Sequence, residues 1–129
     1  MEQETTKWGS WQDLYNIPGC RVKELIVGSG HSLSMQKHHE RSEVWVIVRG
    51  ACTISTKNGS GQATPDRVYK THDLHVIPVG TWHKVRNPFS EACHIIEIQY
   101  GRDCREDDIE LCPKDQEQRR LEYEKNNTI

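Results

Sequence analysis

Residues 30–50 read GHSLSMQKHHERSEVWVIVRG, and this stretch determines how the rest of the chain is interpreted. Gln36 and His38 are two positions apart, so on an extended strand their side chains point to the same face. After a short polar turn at residues 39–42, Glu43 opens the run EVWVIV, which is rich in β-branched residues and typical of a strand. Two strands joined in this way can bring an amide oxygen, an imidazole and a carboxylate to one point.

A fourth donor comes from a later segment, residues 77–87, which read IPVGTWHKVRN. In this segment His83 heads another short strand. Two imidazoles with two oxygen donors suit a borderline divalent metal such as Zn, Fe, Mn, Co or Ni. The alternative is a polar hydrogen-bond network without a metal, but burying such a set is costly unless a cation satisfies it. The predicted metal ligands are Gln36, His38, Glu43 and His83.

Short strand-like segments separated by Gly- and Pro-containing turns run through the middle of the chain, and no helical period occurs between residues 20 and 100. About nine closely spaced short strands predict an all-β fold, either a barrel or a double-sheet jelly roll. The cavity of such a barrel is a natural place for a metal and a small ligand. The clearest predicted strands are 20–27, 31–38, 43–48, 51–56, 67–69, 74–78, 83–87 and 93–100.

The two ends of the chain have a different composition. Residues 1–16 begin loose, although Trp8 and Trp11 are expected to pack against the barrel wall or its mouth. Residues 115–125 are charged and helix-prone with little apolar stripe, which predicts a short helical or frayed C-terminal tail. We therefore expect one domain over residues 1–129, with a barrel core at about 17–101 and a tail at about 102–129. A hairpin turn is predicted at residues 57–61, where Asn-Gly supplies positive φ.

Composition excludes several classes of function. The formal net charge is −2, and no basic excess or aromatic–basic alternation suggests a nucleic-acid partner. The longest strictly apolar run, residues 44–48, is far too short to cross a bilayer. No signal-peptide pattern opens the sequence, so the cytoplasm is the expected location. The five cysteines include no CxxC pair, which favours reduced thiols over a disulfide framework.

Together these segments resemble the cupin signature, with Gln36 at the position where many cupins have their first His. Within the cupins, the sequence motifs from about residue 7 to 111 resemble those of the C-terminal domain of type II mannose-6-phosphate isomerases. The resemblance implies the cupin double-stranded β-helix. The motifs that carry it are KWGS at 7–10, SLSMQ at 32–36, RSEVW at 41–45, IP at 77–78, NP at 87–88, IIEIQ at 95–99 and EDDI at 106–109.

The resemblance implies an aldose–ketose isomerase that interconverts mannose 6-phosphate and fructose 6-phosphate for nucleotide-sugar and polysaccharide biosynthesis. It also implies a divalent metal, with Zn favoured, and a homodimer. Guanylyltransferase activity, which usually accompanies this domain in bacteria, is not expected because the glycine-rich nucleotide loop is absent. Residues 112–118 lack the Arg that the family links to isomerase activity. A non-catalytic sugar-binding or regulatory cupin therefore stays open, and a metal oxygenase is the least supported alternative.

Further side chains are candidates for catalysis or for holding a phosphate. Glu97 shares its strand face with Ile95 and Gln99, so it is a candidate base if that face looks inward, and Arg41 lies in the ligand loop. A basic group is needed to hold the phosphate of a sugar phosphate. His72 stands where the cupin signature has its leading Gly. The candidate phosphate-binding residues are Lys23, Arg49 and Lys84.

Overall fold

The computed structural model describes residues 1–57 and 62–113, which form β-strands arranged in two antiparallel sheets. Residues 58–61 of the hairpin turn predicted at 57–61, and the helix-prone segment 115–125, lie outside the described residues. The eleven strands of the described residues are β1 (Gln3–Thr5), β2 (Gly9–Ile17), β3 (Cys20–Val27), β4 (Gln36–Lys37), β5 (Arg41–Arg49), β6 (Ala51–Lys57), β7 (Arg67–Lys70), β8 (Leu74–Ile77), β9 (Trp82–Arg86), β10 (Cys93–Gly101) and β11 (Glu110–Leu111).

The strand order places β10 at the centre of one sheet. The six-stranded sheet runs β1-β2-β3-β10-β5-β8, and the five-stranded sheet runs β11-β4-β9-β6-β7. Strands distant in sequence are therefore neighbours, since β10 pairs with both β3 and β5. The prediction of an all-β double-sheet jelly roll is confirmed.

Side chains alternate between buried and more exposed along the central strands, as expected for sheets with one face against a core. Ile47, Ile95, Val27 and Val85 are among the fully buried side chains between the sheets. Burial of an aliphatic side chain of this size contributes roughly 1.5–3 kcal/mol. Cys52 also belongs to this core, and all five cysteines are unpaired, in agreement with the prediction of reduced thiols.

The interpretation that residues 1–16 begin loose was wrong, because β1 already lies near the start of this region and the nine-residue β2 follows it. β2 pairs with β3 from Gly9, opposite Val27, to Ile17, opposite Cys20. Most of its side chains are exposed, so no burial alternation marks it in the sequence. Trp8 and Trp11 do pack against the core, as predicted.

Residues 31–38 do not form the continuous strand that was predicted. Only Gln36 and Lys37 belong to a strand, β4, and Ser32 makes an isolated bridge to Arg86. Leu33 N donates to the carbonyl of Val85, so neighbouring backbone groups are satisfied without a regular ladder. On its other side β4 pairs with β11, which lies in the region predicted as tail.

His72 adopts a left-handed backbone with φ of 76°. Its N–H donates to the carbonyl of Ile47 at 2.6 Å, which holds the turn before β8 against β5. A side chain with a Cβ is strained in this conformation, whereas Gly adopts it freely. The departure from the cupin pattern at this position therefore carries a conformational penalty. Separately, none of the described residues forms a helix with the length and hydropathy needed to span a bilayer.

Candidate metal centre

Three strands bring the predicted ligands to one point inside the barrel. His38 directly follows β4, Glu43 points inward from β5, and His83 points inward from β9. β4 and β9 pair so that Gln36 lies opposite His83. One donor atom each from His38, Glu43 and His83 lies within 4.8 Å of the others, and all three side chains are buried.

The two imidazoles are held by hydrogen bonds at the same ring nitrogen, Nδ1. His38 Nδ1 lies 2.6 Å from the carbonyl oxygen of Asp108, and His83 Nδ1 lies 3.0 Å from that of Thr81. A carbonyl oxygen only accepts, so each Nδ1 carries the proton and each Nε2 presents a lone pair. The Nε2 atoms lie 3.2 Å and 3.8 Å from the Glu43 carboxylate. Backbone bonds of this kind typically fix the orientation of metal-binding histidines.

The protonation states suit a divalent cation. Burial lowers the pKa of His38 to about 4 and also lowers the pKa of His83, so both rings are neutral near pH 7. Burial alone would raise the pKa of Glu43, but His83, His38 and Arg41 together hold it below its usual range. Two neutral imidazoles and a carboxylate are the forms that metal binding requires, so this donor set fits a metal ion.

Two neighbours orient the Glu43 carboxylate. Trp45 Nε1 donates to Oε1 at 2.9 Å, and Arg41 Nε donates to Oε2 at 2.9 Å. Arg41 also lies 3.3 Å from His38 Nε2 and donates to the carbonyl of Arg105 at 2.9 Å. The Arg41 guanidinium therefore lies against two of the three donors, where it compensates the buried carboxylate and competes with a cation.

Gln36 reaches the same cavity as the three buried donors. Its Nε2 donates to the carbonyl of Ser34 at 3.4 Å, which points the amide nitrogen toward the backbone. The amide oxygen is then available as a neutral donor. The structure thus places all four predicted ligands around one cavity, with Gln36 less buried than the other three.

The cavity has a volume of about 160 Å³ and extends from the triad toward β3. Glu97 lines it, so its strand face does look inward. Burial raises the pKa of Glu97 to about 7, and the charge of Glu43 adds to this effect. Gln99 Nε2 donates to the Glu97 carboxylate, whereas Gln99 Oε1 has no hydrogen-bond partner within residues 1–57 and 62–113. A buried acceptor left free beside a cavity suits a polar ligand.

The three candidate phosphate-binding residues fall in different places. Lys23 is buried and lines the cavity. Arg49 is exposed at the end of β5, where the pairing with β10 shifts between His94 and Ile95. Lys84 follows His83 on β9 and so points to the opposite face of the strand. The structure therefore does not bring Arg49 or Lys84 to the cavity.

Asp108 is a supporting residue that the sequence reasoning missed. Besides its carbonyl bond to His38, its carboxylate accepts the N–H groups of His39 at 3.0 Å and Glu40 at 2.8 Å. It therefore holds the turn that carries His38. The EDDI motif at 106–109 marked the segment, but only the fold shows that it closes over the ligand turn.

The fold is shared with several solved structures. The capsular polysaccharide assembling protein CapF from Staphylococcus aureus aligns with a TM-score of 0.75 and 18% identity, over 85% of this chain and 33% of that chain. The oxalate decarboxylase of Lactobacillus farciminis aligns with a TM-score of 0.74 and 14% identity, over 88% and 34%. A cupin 2 conserved barrel domain protein from Salinispora arenicola aligns with a TM-score of 0.58 and 22% identity, over 70% and 73%. These likenesses establish a cupin fold.

The relatives found by sequence define the family more narrowly than the structural comparisons do. The chain is 35% identical over 103 residues to the alginate biosynthesis protein AlgA of Pseudomonas putida, which covers 80% of this chain and 20% of that protein. It is 34% identical over 104 residues to a mannose-1-phosphate guanylyltransferase of Sinorhizobium fredii, covering 79% and 19%. The chain thus spans about a fifth of the length of these relatives. The family model for the mannose-6-phosphate isomerase C-terminal domain matches residues 2–113, so the chain belongs to this family.

Proposed function

We propose that the protein is a metal-dependent isomerase that interconverts mannose 6-phosphate and fructose 6-phosphate. The observation that carries the proposal is the convergence of His38, Glu43 and His83 on one buried point of a polar cavity, in a chain of this family. The cavity is lined by acid, base and amide groups. These are the groups needed to move protons between neighbouring carbon and oxygen atoms of a sugar.

A divalent ion, with zinc favoured by the two imidazole donors, would be held by His38, Glu43 and His83 with Gln36 as a fourth ligand. When bound, the ion supplies Lewis acidity toward the carbonyl and hydroxyl oxygens of the sugar. The chain's own contribution is to keep Glu43 ionised and both rings neutral, so that the donors are ready at neutral pH.

Glu97 is the residue that we assign to proton transfer. Its pKa near 7 makes the carboxylate a competent base and the carboxylic acid a competent acid at the same pH. In the aldose-to-ketose direction it removes the proton from C2 and returns it to C1, while the hydroxyl proton passes from O2 to O1, so that the carbonyl moves from C1 to C2. Gln99 orients the carboxyl group by donating to it. Arg41 places a fixed positive charge where negative charge develops on the sugar oxygens.

The experiment is a coupled assay of fructose 6-phosphate formation from mannose 6-phosphate, with metal-loaded protein and with protein treated with a chelator. We expect chelator-sensitive turnover and a loss of about 100-fold or more in kcat for Glu97→Gln, with unchanged metal content. Glu24→Gln is the matched control, because it removes a carboxylate from the outward side of β3. Metal-loaded wild-type protein without turnover would contradict the proposal.

A second function, non-catalytic sugar-phosphate binding, is favoured by one feature of the sequence. Residues 112–118 read CPKDQEQ and lack the Arg that the family links to isomerase activity. Metal-loaded protein that binds mannose 6-phosphate in calorimetry but never converts it would support this alternative. Iron content together with oxygen uptake would instead indicate an oxygenase.

We also propose self-association of two copies through the outward face of the six-stranded sheet. Apolar side chains occupy consecutive outward positions on three adjacent strands there, and contiguous apolar surface of this kind is typical of association sites. Light scattering should give twice the mass of the chain, and Val46→Glu should give a monomer. A monomeric wild type would contradict this. The patch comprises Val44, Val46, Val48, Leu74, Val76, Ile96, Ile98 and Tyr100.

For the compartment, we propose the cytoplasm. Five unpaired cysteines suit a reducing compartment, and phosphorylated sugars are the proposed substrates. Cell fractionation with detection of the native chain tests this, and recovery in a secreted or membrane fraction would contradict it.

A further inference from the structure

Strand β3 carries two buried cations, of which Lys23 lines the cavity and Arg21 lies two positions before it. Arg21 and Lys23 are 5% and 4% exposed. The Arg21 charge is matched by the protein itself, because Asp13 accepts from Nε at 2.8 Å and from NH2 at 2.9 Å. Glu2 adds a further contact to the Arg21 NH2 group at 2.9 Å. Arg21 is therefore paired with carboxylates of the protein itself and has a structural role beside the cavity.

Lys23 is paired in a different way. Its ammonium lies 3.9 Å from the centre of the Trp11 ring and 2.5 Å from Oε1 of Glu106. The same Glu106 oxygen lies 3.1 Å from NH1 of Arg21, so one carboxylate bridges both cations. Glu106 lies in the loop after β10, and its side chain is 43% exposed. The anion that neutralises Lys23 is thus a solvent-accessible group at the rim of the cavity.

An ammonium this deeply buried needs an anion beside it, since an unpaired buried charge is strongly destabilising. The Glu106 carboxylate meets this need from the rim, where its side chain stays partly open to solvent. A phosphate group entering the cavity could replace it and keep Lys23 paired. Lysine binds phosphate as a point charge, and phosphate offers more acceptor oxygens and more negative charge than a carboxylate.

The register of the sheet places Lys23 at the far side of the cavity from the triad. Glu97 lies opposite Lys23 on one side and opposite Trp45 on the other. Glu43 lies one inward position further along β5, opposite Gln99. Two strand spacings therefore separate β3 from β5, about 10 Å in all. An elongated ligand with its anionic end at Lys23 would extend past Glu97 toward the donor atoms.

We propose that Lys23 is the anchor for the phosphate end of the sugar phosphate, and that Glu106 occupies the anchor until the ligand displaces it. The identity of the sugar rests on the proposed function, whereas the anion site is tested by binding alone. Glu97 also faces this part of the cavity and repels an anion when it is ionised. Arg41 is positively charged and attracts an anion. Because the charge of Glu97 depends on pH, the binding affinities of all variants are compared at one fixed pH.

The test compares Glu106→Gln with Asp107→Asn in the metal-loaded full chain. Both variants remove one negative charge from the same loop, but Asp107 pairs with Arg105 at the surface and not with Lys23. Calorimetry with mannose 6-phosphate should show about fivefold tighter binding for Glu106→Gln, because the competing carboxylate is gone. Asp107→Asn should bind like the wild type, and binding of unphosphorylated mannose should be equal in all three proteins.

Lys23→Met should weaken mannose 6-phosphate binding by about tenfold or more while metal content and circular dichroism stay unchanged. Equal affinities for Glu106→Gln and Asp107→Asn would overturn the proposal. So would failure of wild type and Glu106→Gln to bind either mannose 6-phosphate or inorganic phosphate. Tighter binding by Glu106→Gln without any turnover would support the anion site and contradict the isomerase activity. Turnover with unchanged affinities would support the isomerase activity and contradict the anion site.

Discussion

Replacing Glu97 by Gln is expected to change how protein stability responds to pH. Burial raises the pKa of Glu97 from its ordinary value of 4.5 to about 7. The folded protein therefore binds the proton more tightly than the unfolded chain does. Its contribution to stability is complete below pH 4.5 and is lost as the pH rises through 7. A difference between 4.5 and 7 corresponds to about 3 kcal/mol, since one pKa unit is worth about 1.4 kcal/mol.

Gln cannot titrate, so the variant lacks this pH-dependent contribution. The free energy of unfolding of the wild type, minus that of Glu97→Gln, should fall by about 3 kcal/mol between about pH 4.5 and 7.5. Urea unfolding in the presence of a chelator measures both proteins at each pH. Titrating groups that do not interact with Glu97 contribute equally to both proteins and cancel in the difference.

Ile96→Val is the control, because Ile96 is the next residue on β10 and its side chain points to the opposite face. Its difference from the wild type should be constant across the same pH range. A difference for Glu97→Gln that also stays constant would refute the conclusion that Glu97 is a buried acid with a raised pKa. A difference that grows with pH would refute the sign of the shift.

Three further substitutions test the supports of the site and the fold. His72→Gly should stabilise the protein by about 0.5–1 kcal/mol in urea unfolding because it relieves the left-handed backbone, whereas His39→Gly should destabilise it. Asp108→Ala should weaken metal binding by about tenfold in a chelator competition, since the turn carrying His38 loses two backbone bonds; unchanged affinity would contradict that role. Trp45→Phe should cost about 2 kcal/mol of stability, because the ionised Glu43 loses a buried donor, and a loss below about 0.5 kcal/mol would argue against it.

The central strands were predictable because their β-branched and apolar residues form recognisable strand patterns in the sequence. β3, β5 and β10 alternate between core and outer face, and each was located close to its observed limits. β2 gave no such signal, since most of its side chains, polar and apolar alike, are exposed. Its strand conformation depends on backbone pairing with β3, which the local sequence does not show. Residues 31–38 were predicted as one strand, but they meet β9 only through scattered single bonds and an isolated bridge, which no local pattern shows.

For the site, local spacing predicted which side chains converge, whereas long-range contacts decided the rest. The spacing of Gln36, His38 and Glu43 follows from strand and turn geometry. Asp108 lies 70 residues from His38 in sequence, and no local pattern shows that its carbonyl holds the ring. Alternation along β5 also placed Arg49 on the inward face, but the irregular pairing with β10 leaves it exposed.

The most direct test of the metal centre is the number of metal ions bound per chain, measured by elemental analysis after loading and dialysis. The wild type should retain about one divalent ion per chain, and a His38→Ala, His83→Ala double variant should retain almost none. The control is a His39→Ala, His94→Ala double variant, which removes two histidines that point away from the cavity and should retain full occupancy. Full occupancy in the His38/His83 variant would contradict the account.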